Sequence, residues 1–166
     1  MKINISDLIS KKSDEIQINE KVILNKINRG GDIFYLKGPV EVKGKVFKAD
    51  EDIIFSGLLE TIIQTECSRC LDNVVKDIKI SFDESVCDEK NIQEDADVLL
   101  EDDCIDLEEF SEKLLILKLP MKFLCSKECK GLCLQCGTNL NNSNCNCEKE
   151  DIDIRLIKLK ELLKQD

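Results

Sequence analysis

The sequence predicts an α+β fold. An antiparallel β meander or open, barrel-like sheet occupies the N-terminal half. Two amphipathic helices and a cysteine-rich segment follow in the C-terminal half. Three observations carry this expectation. Apolar residues alternate with period two over 40–48 and 77–83, the pattern of strands with one buried face. No long helical pattern separates these runs, so successive strands pair as antiparallel neighbours. Ten cysteines, most of them in close pairs, stand in a 166-residue chain that has no histidine.

The elements follow in order. "DEIQINEKV" (14–22) and "DIFYLKG" (32–38) read as strands. In "VEVKGKVFK" (40–48), Val40, Val42 and Val46 share one face and Glu41, Lys43 and Lys45 the other. Over 49–66, Ile53, Phe55, Leu59 and Ile63 share a face, with Ile54, Leu58 and Ile62 opposite. The middle of that strand is therefore expected to be covered on both sides. In "DIKISFD" (77–83), Ile78, Ile80 and Phe82 point inward.

Residues 83–109 hold thirteen Asp and Glu against one Lys, a net of −12, so the rest of the chain carries +2 of the formal −10. Like charges repel and extend a chain. The segment is expected to be a solvated connector, more mobile over 83–103 than the strands before it. The sharper alternative is a dock for a basic partner. Asp106 then caps a helix, with Glu109 three residues on in the manner of a capping box. Leu107, Phe110, Leu114 and Leu117 form its apolar stripe, and Pro120 ends it. A last helix begins near Asp153, with Ile152, Leu156, Leu159 and Leu163 as its stripe. The division is residues 1–120, β-rich with connector and helix, and 121–166, cysteine-rich segment and final helix. The two parts are expected to pack as one domain, which suits this length.

With no Trp, one Tyr and six Phe, the core must be built from Ile, Leu and Val. No apolar run reaches signal-peptide or membrane-span length, so the chain is expected to be cytoplasmic and off the membrane. In a reducing cytosol, abundant cysteines point to metal rather than disulfides.

Four cysteine pairs stand out: Cys67/Cys70, Cys125/Cys129, Cys133/Cys136 and Cys145/Cys147. Eight thiolates suffice for two structural four-cysteine zinc sites. Spacing leaves the pairing open. The shortest loop joins Cys133/Cys136 to Cys145/Cys147 through the turn-forming "NLNNSN", which leaves Cys67/Cys70 to meet Cys125/Cys129. Gly137 supplies the left-handed backbone such a turn uses. Cys87 and Cys104 stand alone. Each such site carries −2, and Arg69, Lys122, Lys127 and Lys130 are placed to offset it. All-thiolate ligation leaves no open position for water, which points to structure rather than hydrolysis. Cys129, Cys133 and Cys136 also spell C-x3-C-x2-C, the spacing of radical SAM enzymes, but only thirty residues follow Cys136, too few for that barrel. An iron–sulfur carrier is the nearer alternative, since clusters also take four cysteines. No nucleophile–base pair and no glycine-rich phosphate loop is found.

Together, "TECSRC", "LPMKFLCSKECKGLCLQCGTNLNNSNCNCE" and "DIDIRLIKLKELL" closely resemble the YceD family, the large ribosomal RNA subunit accumulation proteins. The resemblance spans nearly the whole chain and is most specific from Leu119 to Leu163. The cysteine-rich tail resembles that of Gram-positive members, while others keep mainly the first C-x-R-C, here Cys67 and Cys70. Ile154 stands where proline is frequent. The resemblance implies a role in synthesis, processing or stability of 23S ribosomal RNA and carries over no catalytic residue.

The leading reading is a non-enzymatic ribosome-biogenesis factor. Its partners would be ribosomal precursor particles, large-subunit rRNA or a basic ribosomal protein. The alternatives are an iron–sulfur or redox protein, or a metal-dependent nuclease acting on rRNA, for which pairs such as Asp102/Asp103 would bind magnesium. Direct RNA binding needs clustered Lys or Arg, and only the face around Lys43 and Lys45 and the loop Lys118–Lys130 offer them. Aromatic residues for base stacking are sparse, so a protein contact is favoured.

Overall fold

The computed structural model describes residues 1–49, 52–88, 98–100 and 102–147. The helix expected near Asp153, and residues 89–97 and 101 of the acidic segment, lie outside these. In chain order the elements are β1 (Lys2–Asn4), α1 (Ser6–Ile9), β2 (Glu15–Val22), β3 (Lys26–Arg29), β4 (Asp32–Leu36), β5 (Val40–Ala49), β6 (Asp52–Glu66), β7 (Asn73–Asp88), β8 (Val98–Leu100), β9 (Cys104–Asp106) and α2 (Leu107–Lys118).

The period-two runs form an open, mostly antiparallel sheet. Strands β2, β5, β6 and β7 are successive antiparallel neighbours. β4 takes up the same edge of β6 beyond β5, through Tyr35↔Gln64 and Leu36↔Ile63, and carries β3 as its hairpin partner. Val40, Val42, Val46, Phe55, Leu59 and Ile63 are fully buried on one face. α2 closes that face: the rings of Phe55, Phe82 and Phe110 meet at centroid distances of 4.8 to 5.0 Å. Each such pair contributes about 0.5–1.5 kcal/mol beyond its burial. Gly44 and Gly57 face one another between β5 and β6. A Cβ on Gly57 would sit 2.3 Å from the Lys43 carbonyl oxygen, so the two strands approach only because both residues lack side chains.

α2 starts where expected. The Asp106 carboxylate accepts the Glu108 and Glu109 N–H groups at 2.9 and 3.4 Å, satisfying two donors that the first turn leaves without partners. The buried face is Leu107, Phe110, Ser111, Leu114 and Leu115. Leu117, expected on the stripe, is 76% exposed. The face turns toward Leu115 because Leu119 and Phe123, both buried, take over the packing where the helix ends.

Two further expectations are corrected. The middle of β6 is covered on one side: Ile54 and Leu58 are half-buried and Ile62 is 41% exposed. The acidic segment is not a plain connector among its described residues. Residues 83–88 complete β7, Val98–Leu100 pair with it in parallel, and Cys104–Asp106 pair with β1. Val86, Val98, Leu100 and Ile105 are buried. These scattered apolar residues anchor the segment to the core, a gain that outweighs the repulsion of the exposed acids.

Candidate metal centres

The turn between β6 and β7 carries the first pair. The Cys67 N–H donates to the Asp72 carbonyl at 2.8 Å and the Leu71 N–H to the Cys67 carbonyl at 3.0 Å, with Leu71 at φ 62°. This tight turn holds the two sulfurs in one cluster with those of Cys125 and Cys129. The segment after α2 crosses it. The Ser68 N–H donates to the Phe123 carbonyl at 2.8 Å, and the Phe123 N–H to Ser68 Oγ at 3.2 Å. The Phe123 ring packs on Phe34. Arg29 lies over the same Phe34 ring and clamps the Leu119 and Pro120 carbonyls at 2.7 and 2.8 Å. Cys125 and Cys129 are thereby delivered to Cys67 and Cys70.

The eight sequence-predicted residues form two clusters, Cys67/Cys70/Cys125/Cys129 and Cys133/Cys136/Cys145/Cys147, with the sulfurs of each within 4.8 Å of one another. Cys67 and Cys129 sulfurs are 3.8 Å apart and Cys70 and Cys125 sulfurs 3.6 Å. A tetrahedral ion with metal–sulfur bonds of about 2.3 Å spaces its ligands by about 3.8 Å. A disulfide requires about 2.05 Å, and all ten cysteines are free thiols. A multi-iron cluster between four sulfurs would spread them wider than a single ion does. The donor set therefore fits one four-coordinate ion per cluster. Cys87 and Cys104 join neither; the Asn4 amide donates to Cys104 Sγ at 3.6 Å.

The thiols within each cluster are driven apart in acidity. Burial pushes Cys67 up, but N–H bonds from Cys70, Arg69 and Cys125 outweigh it and hold the thiol at about 6. The Asn141 amide chiefly holds Cys129 down. Cys70 is raised: the Asp72 N–H favours its thiolate, yet burial and bonds to neighbouring thiols and Asp72 prevail. Cys125 is raised mainly by Cys129. In the second cluster the Thr138 hydroxyl and N–H lower Cys136 to about 6, and backbone N–H groups lower Cys133. Against that pair, Cys147 is raised to about 12; the Cys147 N–H favours the Cys145 thiolate, yet Cys133, burial and Cys136 together raise Cys145. Metal ligation takes cysteines as thiolates, so a cation at the centre favours the deprotonated form of all four.

The clusters differ in burial. Cys67, Cys129 and Cys70 are at most 3% exposed, packed with Val74, Leu124 and Leu132. Every sulfur-bearing residue of the second cluster is half-buried or exposed. Of the cations expected nearby, Arg69 ties the module together through the Cys129 carbonyl at 2.8 Å, while Lys122, Lys127 and Lys130 stand exposed. Sequence reasoning missed Asp72, Asn139 and Asn141, which join the two sites. The signal was the Asn-rich run itself, whose amides do more than make a turn.

A β-sheet protein bearing two four-cysteine centres is the class that the fold and site define. The chain belongs to the YceD family, described as large ribosomal RNA subunit accumulation protein YceD, whose model matches residues 55–163. That span contains all eight clustered cysteines. The chain is 30% identical to the uncharacterized protein YlbN of Bacillus subtilis, over all of this chain and 98% of that one. An uncharacterized protein of Mycobacterium tuberculosis is 33% identical over 72% of this chain and 59% of its own length. The chloroplastic large ribosomal RNA subunit accumulation protein YCED homolog 1 of Arabidopsis thaliana is 24% identical over 69% of this chain. The match covers 46% of that plant protein. No solved structure matches the chain.

Proposed function

We propose that this chain is a non-catalytic factor supporting accumulation of 23S ribosomal RNA, its working surface held by two structural zinc ions. Family membership carries the proposal, because the family's name describes accumulation of the large-subunit RNA. Cys67, Cys70, Cys125 and Cys129 hold one zinc; Cys133, Cys136, Cys145 and Cys147 hold the other. A zinc closed by four thiolates supplies cross-linking rather than catalysis. The first ties the β6–β7 turn to the segment after α2, so the sheet and the cysteine-rich segment through Cys147 act as one unit in the cytoplasm. Among the described residues no helix is long and apolar enough to cross a membrane.

The partner is a protein of the large-subunit precursor, basic in character, rather than bare RNA. The charge pairing supports this. Lys43 is engaged by Glu41 and Glu60, Lys45 by Glu15 and Lys118 by Glu84. These three pairings lower the counterion-release drive for RNA, leaving Lys122, Lys127 and Lys130 as the exposed cations of the Lys118–Lys130 loop. Sedimentation of ribosomal particles from growing cells tests the proposal. The chain should travel with large-subunit precursors and leave them when stripped of zinc. A chain found only at the top of the gradient contradicts it.

A further inference from the structure

The loop that closes the second cluster reaches into the first. Residues 137–144 separate Cys136 from Cys145, both ligands of the second site. Gly137 turns at φ 72°, its N–H donating to the Cys133 carbonyl at 2.9 Å, and the Cys133 N–H returns to the Thr138 carbonyl at 2.8 Å. The Leu140 N–H then donates to the Gly131 carbonyl at 2.9 Å, and Leu132 bridges Asn139. These bonds lay Asn139 and Asn141 across the first site.

Every polar atom of the Asn141 side chain is engaged there. Its Oδ1 accepts the Lys130 N–H at 2.8 Å. That backbone donor fixes the amide orientation and leaves Nδ2 to donate to Cys129 Sγ at 3.3 Å and to Asn139 Oδ1 at 2.9 Å. Asn139 in turn donates to Asp72 Oδ2 at 2.9 Å, the oxygen that accepts the Cys70 thiol at 3.3 Å. Asn141 is the one side-chain nitrogen among the described residues that donates to a sulfur of the first cluster. A four-thiolate site carries excess negative charge, and an N–H aimed at one sulfur withdraws part of it.

We infer that the two centres load as a coupled pair, with Asn141 the positioning residue that transmits occupancy of the second site to the first. This rests on the metal reading above. Metal at Cys133/Cys136/Cys145/Cys147 fixes both ends of the 137–144 loop, so the amides no longer need ordering when the first site fills. Coupling between two binding events is reciprocal, so metal at the first site tightens the second by the same factor. Outer hydrogen bonds of this kind are worth on the order of 10–100-fold in metal affinity.

The test is a cobalt(II) titration of the reduced, metal-free full chain, followed by sulfur-to-cobalt charge-transfer absorption, with a competing chelator to set affinities. The wild-type chain should take up two equivalents in one steep transition. Asn141→Leu, with all cysteines intact, should still bind two equivalents but in two separated steps, the first site weakened on the order of tenfold. Cys145→Ser with Cys147→Ser should weaken the first site by a similar factor while circular dichroism reports an intact sheet. Two equivalents bound independently in wild type, or a steep transition unchanged in Asn141→Leu, overturns the coupling and leaves the metal reading standing. Failure of the wild-type chain to bind cobalt overturns both.

Discussion

Phe123→Ala separates the first metal centre from the sheet without touching a sulfur. Phe123 is 6% exposed, and its ring meets Phe34 at a centroid distance of 5.5 Å and an interplanar angle of 55°. Removing a buried Phe costs about 3–5 kcal/mol, the spread reflecting how far the site can collapse. Here the ring borders a groove of about 540 Å³ that it shares with Arg29, Tyr35 and Met121. Neighbours and water can refill part of the space, so the lower end, about 3 kcal/mol, is expected. Against a total stability of about 5–15 kcal/mol, that is a fifth or more. Urea unfolding of the metal-loaded chain reads it as a lowered midpoint at constant slope. Met121→Ala is the control: Met121 is 85% exposed, and its loss should stay within about 0.5 kcal/mol. Because the Phe123 backbone also brackets Ser68, Phe123→Ala should speed metal loss to a chelator. A loss below about 1 kcal/mol would refute the claim that this ring locks the cysteine module to the core.

Asp106→Ala removes the cap of α2 and should cost about 1 kcal/mol at neutral pH, measured by thermal or urea unfolding. Burial pushes the Asp106 carboxyl up, but the Glu108 and Glu109 N–H groups and the Met1 ammonium hold it below its ordinary value. Its stabilisation is therefore complete above the unfolded value of about 4 and fades as pH falls through the folded one. Wild type and variant should converge in acid. Metal analysis should give two zinc ions per chain, falling to one in Cys133→Ser, with near-native sheet content by circular dichroism. Filter binding to bare large-subunit RNA should be weak at physiological salt, because the chain's −10 formal charge opposes a polyanion.

The sheet was legible where one face is buried. Val40, Val42 and Val46 alternate with charged residues and are fully buried in the structure, since a one-residue slip would turn them all to solvent. Spacing left the grouping of the cysteine pairs open; loop length favoured the arrangement in which the structure places them. The three-residue strands β1, β8 and β9 were not, because a run that short holds one alternation and cannot be told from a turn. β8 is further hidden by acidic neighbours and pairs in parallel, a contact no local pattern announces. The Asn139–Asp72 and Asn141–Cys129 bonds span 67 and 12 residues; only the folded path of the chain brings those groups together. The direction in which α2's face drifts depended on Phe123, beyond the helix itself.

The ratio of large to small ribosomal subunits in cells lacking this chain tests the central claim most directly. Gradient profiles should display fewer large subunits and less 23S ribosomal RNA relative to 16S. The wild-type chain should restore both, and a chain carrying Cys67→Ser and Cys70→Ser should not. A normal subunit ratio in the deletion strain would contradict the account.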